Sequence, residues 1–270
     1  MTNRTHTTDH DPDRLRAIVQ EHYGAVAAGG TGCCTGGSCG DGALTLQDAA
    51  RRLGYDEADI ASLPTNAQLS LGCGNPLVLA SLKPGQTVLD LGSGAGFDAL
   101  LAAARVGPTG KVIGVDMTPA MVERASSAAA GRAEVEFRLG RLEELPVDDD
   151  SVDVIISNCV VNLSPEKERV FAEAFRVLRP GGRLAIADPV KIRPLEGTRW
   201  EGAQHMAACI SGAMTVAEYQ DRLHQAGFTD VKVAVEDGSA AHISDWDPGT
   251  GVEKYLRSAY VEARKPTALA

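Results

Sequence analysis

Cys73, Cys159 and Cys209 stand far apart in the chain, each among small or amide-bearing neighbours: Leu71-Gly72-Cys73-Gly74-Asn75, Ser157-Asn158-Cys159-Val160 and Ala207-Ala208-Cys209-Ile210-Ser211. A free cysteine taken singly packs as a small hydrophobe. Three brought together make a cage for a soft, thiophilic atom, because thiolate sulfur selects soft centres over hard ones. A second group, Cys33, Cys34 and Cys39, sits in a glycine-rich stretch with no paired histidines, so its spacing fits no zinc site.

Positioning such a cage requires a framework, and the strongest signal for one is the run Thr87-Val-Leu-Asp90-Leu-Gly92-Ser93-Gly94-Ala-Gly96-Phe97-Asp98. An apolar strand ends in a carboxylate and breaks into glycines before an Ala/Leu-rich helix. That is the first βα turn of a doubly wound sheet, where the backbone must turn tightly and approach a ligand closely. A second strand, Lys111 to Asp116, places a carboxylate 24 residues after Gly92, in the position that accepts hydrogen bonds from ribose hydroxyls. A dinucleotide fingerprint needs glycine at position 97, which is Phe, so a nicotinamide or flavin enzyme is disfavoured.

Taken with Ser151-Val-Asp-Val-Ile-Ile-Ser-Asn158 and Arg176-Val-Leu-Arg-Pro-Gly-Gly182, this set resembles the class I S-adenosylmethionine-dependent methyltransferases over about residues 75 to 190. The resemblance implies an α/β, doubly wound, mostly parallel sheet.

The 270 residues, 44% of them hydrophobic, suffice for one full α/β core with additions at both ends. We divide the chain into an N-terminal helix and Cys/Gly-rich extension (1–80), a nucleotide-binding core (81–190), and a covering segment that completes the sheet with an antiparallel hairpin (191–270). The net charge of −10 argues against nucleic acid as a partner. No apolar run reaches the length of a membrane span, and residues 1–10 carry no apolar stretch, so a cytoplasmic protein without a membrane partner is expected.

Asp11 and Pro12 read as the cap and first residue of an amphipathic helix carrying Leu15, Ile18, Val19, His22 and Val26. The stretch from Gly29 to Gly42 has little to bury and reads as a loop that orders only around a ligand. Short helices are expected near Leu46 to Leu53 and Asp56 to Leu63. Thr215-Val-Ala-Glu218 is a capping box opening a helix that closes at Gly227, and Val231 to Val235 and Ser258 to Ala263 have strand character. Asp148-Asp149-Asp150 reads as a solvated turn.

In a doubly wound sheet the ligand lies across the carboxyl ends of the strands, which puts Cys159 beside it; Cys73 precedes the first strand and Cys209 follows the fifth. With Leu-Gly-Cys73-Gly-Asn-Pro, Ser-Asn-Cys159-Val-Val-Asn-Leu-Ser, Ala-Ala-Cys209-Ile-Ser-Gly-Ala and the N-terminal cysteines together, the chain is similar to the arsenite S-adenosylmethionine methyltransferases, from about Tyr23 to the hairpin. The resemblance implies methyl transfer to trivalent arsenic, a detoxification, with arsenite and methylated arsenicals as substrates. It implies Cys73, Cys159 and Cys209 as arsenic ligands, with a fourth thiol from the Cys33-Cys34 pair. For S-adenosylmethionine it implies Asp90, Gly92, Ser93, Gly94 and Gly96 at the methionine end and Asp116 at the ribose. Met117, Leu142 and Glu143 then lie on the adenine side, and Asn158 follows the fourth strand. Arg138 and Arg141 depart from the family's usual neighbours there. A thiol reductant, thioredoxin-like or of low molecular weight, completes the expected cycle. The alternatives are a methyltransferase of an organic small molecule such as a quinone precursor, and a non-catalytic thiol-rich metalloid binder.

Overall fold

The computed structural model describes residues 11–29, 46–69, 72–195, 200 and 203–267. Its centre is strand β1 (Thr87–Leu91), a wholly apolar run but for Thr87 and Asp90, buried from Val88 onward, as a central strand covered on both faces must be. It pairs in parallel with β2 (Lys111–Asp116) on one side and β4 (Val152–Asn158) on the other. Beyond them β3 (Val135–Leu139) pairs with β2, and β5 (Leu178–Lys191) with β4, again in parallel.

The chain thus builds outward from β1 in one direction, then returns to build in the other. The carboxyl ends of β1 and β4 are where the connections part and a crevice opens. The far edge is the expected antiparallel hairpin: β8 (Leu256–Arg264) runs against both β5 and β7 (Thr229–Glu236), giving the order β3-β2-β1-β4-β5-β8-β7. The short β6 (Met214–Thr215) adds to the end of β5.

Alternation along the strands divides the core into two layers. Val88, Val112, Val154 and Ile156 pack with α5 (Phe97–Val106) and the N-terminal segments α2 (Leu46–Arg52), α3 (Glu57–Ser62) and α4 (Leu77–Ala80). Leu89, Ile113, Ile155 and Leu184 face α7 (Lys167–Val177) and α9 (Val216–Gln225). The Thr215/Glu218 capping box is present at the start of α9.

Helix α1 (Pro12–Ala27) begins as its sequence requires, with the Asp11 carboxylate accepting from the Asp13 amide at 3.0 Å. It packs on α6 (Pro119–Ala128) and α8 (Ala203–Ala207), and so closes over the crevice. The expected solvated turn at residues 148–150 is present and exposed, with Asp149 paired with Arg176 and Asp150 with Lys265. Among the described residues no helix is long and apolar enough to cross a membrane.

Candidate active site

The crevice at the carboxyl ends of β1, β2 and β4 is a cavity floored by the glycine turn and roofed by α1. The turn needs its glycines for definite reasons. Gly92 and Gly94 have φ of 65° and 51°, in the left-handed region. A Cβ on Gly92 would overlap the Val160 side chain, whereas one on Gly94 would meet nothing within 4 Å, because Gly94 faces the cavity. Asp116 braces the turn: its Oδ2 accepts from the Gly94 amide at 3.0 Å and its Oδ1 from the Thr118 amide at 2.8 Å. Each oxygen keeps a lone pair for a ligand hydroxyl. Below them Asp90 Oδ2 and Ser93 Oγ are buried without a hydrogen-bond partner.

Orphaned polar atoms at this depth call for a polar ligand, and the combination fits a molecule with an amino-acid end and a ribose, as S-adenosylmethionine has. Burial lifts the Asp90 carboxyl well above its usual range, with Asp98 and Asp116 adding to it. A cationic ligand end relieves that burden.

Of the residues expected at the cofactor, Asp90, Gly92, Ser93, Gly94, Asp116, Met117, Leu142, Glu143 and Asn158 line this cavity. Gly96 does not. It caps α5 with φ of 88°, and a Cβ there would press on Phe137 at 2.7 Å, so its glycine is a packing requirement. Glu143 is engaged by protein: Arg16 of α1 donates to it at 3.3 Å, the Ser164 hydroxyl also donates to it, and Arg16 pairs further with Glu166. Arg138 and Arg141 point elsewhere, to Glu136 and Asp13 respectively.

The sequence reading missed Tyr55 and Asp98. The Tyr55 hydroxyl donates to Asp98 Oδ1 at 2.6 Å, and the Asn158 amide nitrogen donates to Asp98 Oδ2 at 3.1 Å. Asp98 ends the quoted glycine run, so its signal was present; that of Tyr55 depends on tertiary placement.

The three cysteines converge. Cys159 lines the cavity, and its sulfur lies within 4.8 Å of that of Cys73. The Cys73 amide donates to Asn158 Oδ1 at 3.0 Å and its thiol to the Ala187 carbonyl at 3.1 Å, while the Cys209 thiol donates to the Cys159 carbonyl at 3.0 Å. Cys159 and Cys209 both have left-handed backbones, φ 60° and 59°. That conformation is uncommon for a side chain with a Cβ and is characteristic of functional sites.

Burial lifts the Cys73 thiol to about 11 against the opposing hydrogen bond of Cys159. The Cys209 bond favours a thiolate at Cys159, but the Cys73 bond, burial and the Asp188 charge hold it well above its usual value. Cys209 is raised by its bond with Cys159, then by burial. At neutral pH the site presents three thiols. Cys33, Cys34 and the expected loop from Gly30 onward lie outside the described residues. His22, expected on the apolar face of α1, stacks edge-on against Tyr23, and His205 lies 3.8 Å from Asp247.

A methyltransferase-domain family profile matches residues 82–227. The chain is 50% identical to the arsenite methyltransferase of Halobacterium salinarum over 98% of its own length and 70% of that protein's. It is 35% identical to that of Aquipseudomonas alcaligenes over 83% and 64% of the two chains. Among solved structures, the arsenic(III) S-adenosylmethionine methyltransferase of Chlamydomonas reinhardtii superposes with a TM-score of 0.63 at 35% identity, covering 81% of this chain and 73% of that one. An identity of one residue in two across nearly the whole chain, on a class I methyltransferase fold, means that the chain belongs to the arsenite methyltransferase family.

Proposed function

We propose that the family's reaction, methyl transfer from S-adenosylmethionine to trivalent arsenic, takes place in this chain where Cys159 joins the ligand cavity to the thiol cluster. The observation that carries the reading is the dual position of Cys159, which lines the cavity while its sulfur lies within 4.8 Å of that of Cys73 and its carbonyl accepts from the Cys209 thiol. S-adenosylmethionine supplies an electrophilic methyl group when bound. The residues that would hold it are Asp90, Ser93 and Gly94 at its amino-acid end, Asp116 at the ribose, and Met117, Leu142 and Glu143 beside the adenine.

Arsenous acid is neutral, and raised thiol pKa values suit it. Each As–S bond forms as a thiol proton leaves with an arsenic hydroxyl as water, so no separate base is required. The bound arsenic keeps a lone pair and has no proton to lose. Transfer is then a matter of alignment, a contribution of roughly 7–11 kcal/mol in the best cases.

After transfer, arsenic is pentavalent. It returns to the trivalent state when two cysteines give up an electron pair and join in a disulfide, which an external dithiol or low-molecular-weight thiol reduces. Cys159, close to both neighbours, is suited to that pairing, and a thioredoxin-like reductant and a reducing, cytoplasmic setting follow from the same chemistry. The fourth thiol is assigned to the Cys33-Cys34 pair.

An organic acceptor such as a quinone precursor would leave the convergence of three thiols without a role, and a mere metalloid binder would leave the glycine turn and Asp116 without one. Incubation with labelled S-adenosylmethionine, a thiol and arsenite, followed by arsenic speciation, should yield methylated arsenic. Label transferred to no arsenical would overturn the reading.

A further inference from the structure

A carboxylate sits among the thiols. Asp188 lies on β5 and is wholly buried. One of its oxygens and the sulfurs of Cys73 and Cys159 all lie within 4.8 Å of one another. The Tyr219 hydroxyl donates to Asp188 Oδ2 at 2.6 Å, but Oδ1 is buried with no hydrogen-bond partner. Lys167 is near enough for its charge to be felt there, yet its ammonium donates to the Ser164 carbonyl at 2.7 Å instead. Leaving a carboxylate oxygen unsatisfied in the interior is costly. The backbone of Asn162 and Val160 and the Lys167 charge ease that cost only in part, since burial still keeps the carboxyl well above its usual range.

We propose that the carboxylate of Asp188 faces the arsenic held by Cys73, Cys159 and Cys209 and stabilises the positive charge that arsenic acquires as it takes the methyl group. The inference rests on the arsenic reading above. In the transfer the arsenic lone pair becomes the As–C bond, and the electron pair of the breaking S–C bond stays with the donor sulfur. One unit of positive charge passes from sulfur to arsenic, and no proton moves. Arsenic bound by three thiolates is neutral before this step and cationic after it. The Asp188 carboxyl is lifted to about 7, chiefly by burial; in its ionised form, which a positive charge on arsenic favours, it stabilises the transition state more than the ground state, which is the condition for raising the rate. Because Asp188 is itself wholly buried, the attraction is far stronger than at a surface. Tyr219, by holding Oδ2, leaves Oδ1 as the oxygen for arsenic. Neutral trivalent arsenic has no need of this charge, so binding and transfer should part company when it is removed.

The test uses the full chain and two uncharged replacements, Asp188→Asn and Asp188→Ser, each first shown to bind S-adenosylmethionine with wild-type affinity by calorimetry. Single-turnover transfer from labelled S-adenosylmethionine to arsenite is expected to slow roughly 10²–10³-fold, with arsenite affinity changed by no more than about twofold. A second readout needs no turnover: cadmium(II), a soft dication that takes both thiolate and carboxylate, should bind at least about tenfold more weakly to the variants. A transfer rate near that of the wild type in either variant would overturn the proposal, as would arsenite affinity falling in step with the rate or cadmium affinity that does not change. If the wild-type chain methylates no arsenite, the arsenic reading itself fails; if it does and the variants match it, only the role of Asp188 fails.

Discussion

The Cys209 thiol donates to the carbonyl oxygen of Cys159 at 3.0 Å, and the two residues share a left-handed backbone, φ 59° and 60°. Each sulfur is therefore aimed by a main-chain conformation that glycine would adopt more readily. Replacing Cys209 by glycine should give a more stable protein than replacing it by alanine, by about 1 kcal/mol, the reverse of the usual ranking. Denaturant midpoints of the two variants check this, and both should be inactive toward arsenite.

Ligand counting separates the cysteines by role. Inorganic trivalent arsenic has three positions for sulfur and a monomethylated arsenical has two. Cys159→Ser and Cys209→Ser should abolish methylation of both, whereas Cys73→Ser and the Cys33/Cys34 double variant should lose arsenite methylation but keep some activity on monomethylarsenite. Rates on the two substrates decide it. Full activity of Cys159→Ser on either would return an organic acceptor to first place.

Asp116 both braces the glycine turn and offers lone pairs to the ligand. Hydrogen bonds to a charged acceptor are worth about 1.5–3 kcal/mol each, so Asp116→Ala should weaken S-adenosylmethionine binding about ten- to hundredfold. Calorimetry that returned wild-type affinity would remove Asp116 from the site.

Arg16 fastens α1 across the cavity through Glu143 and Glu166, with Arg16 and Glu143 both nearly inaccessible, at 9% and 7% exposure. Arg16→Ala leaves Glu143 buried with only Ser164 beside it, a change that should lower stability by about 3 kcal/mol and speed amide exchange along α1. Arg16→Lys should not restore the protection, since an ammonium cannot reproduce the guanidinium fork. Unchanged exchange in α1 would mean that the helix is held by its apolar face alone.

The Asp98 carboxyl is lifted to about 6, chiefly by burial, with the Tyr55 and Asn158 hydrogen bonds opposing. Because the folded chain holds this proton more tightly than the unfolded one, the stability it contributes is fully present below about pH 4 and is lost as pH rises through about 6. The loss is on the order of 3 kcal/mol without ligand. Asp98→Asn should flatten that decline, measured as melting temperature across the interval. A slope identical to the wild type's would show that Asp98 is not its source.

The glycine turn, Asp116, the capped helices and the hairpin were legible in the sequence because each is dictated by neighbours within a few residues. The convergence of Cys73 with Cys159, and of Cys209 with both, followed from topology, which places strand ends together even when their sequence separation is large. What stayed hidden depends on tertiary pairing. Glu143 meets Arg16 across 127 positions and is neutralised by protein, and Gly96 is small because of Phe137. Asp188, at the end of the apolar run Leu184 to Ala187, repeats on β5 the pattern of Asp116 on β2. That repetition was the available signal, but only the placement of Cys73 and Cys159 around it gives it meaning.

The raised thiol pKa values also set which atoms the cluster accepts. A divalent ion such as zinc binds thiolates, so each sulfur must first lose its proton to solvent. For Cys73, at about 11, that step alone costs about 5 kcal/mol at neutral pH, at roughly 1.4 kcal/mol per unit. Arsenous acid brings three hydroxyls that carry the protons away as water, and meets no such barrier. On the proposed arsenic site, burial, which in most proteins makes a cysteine inert, would discriminate against the abundant metal ions of a cell in favour of a scarce, neutral, toxic molecule.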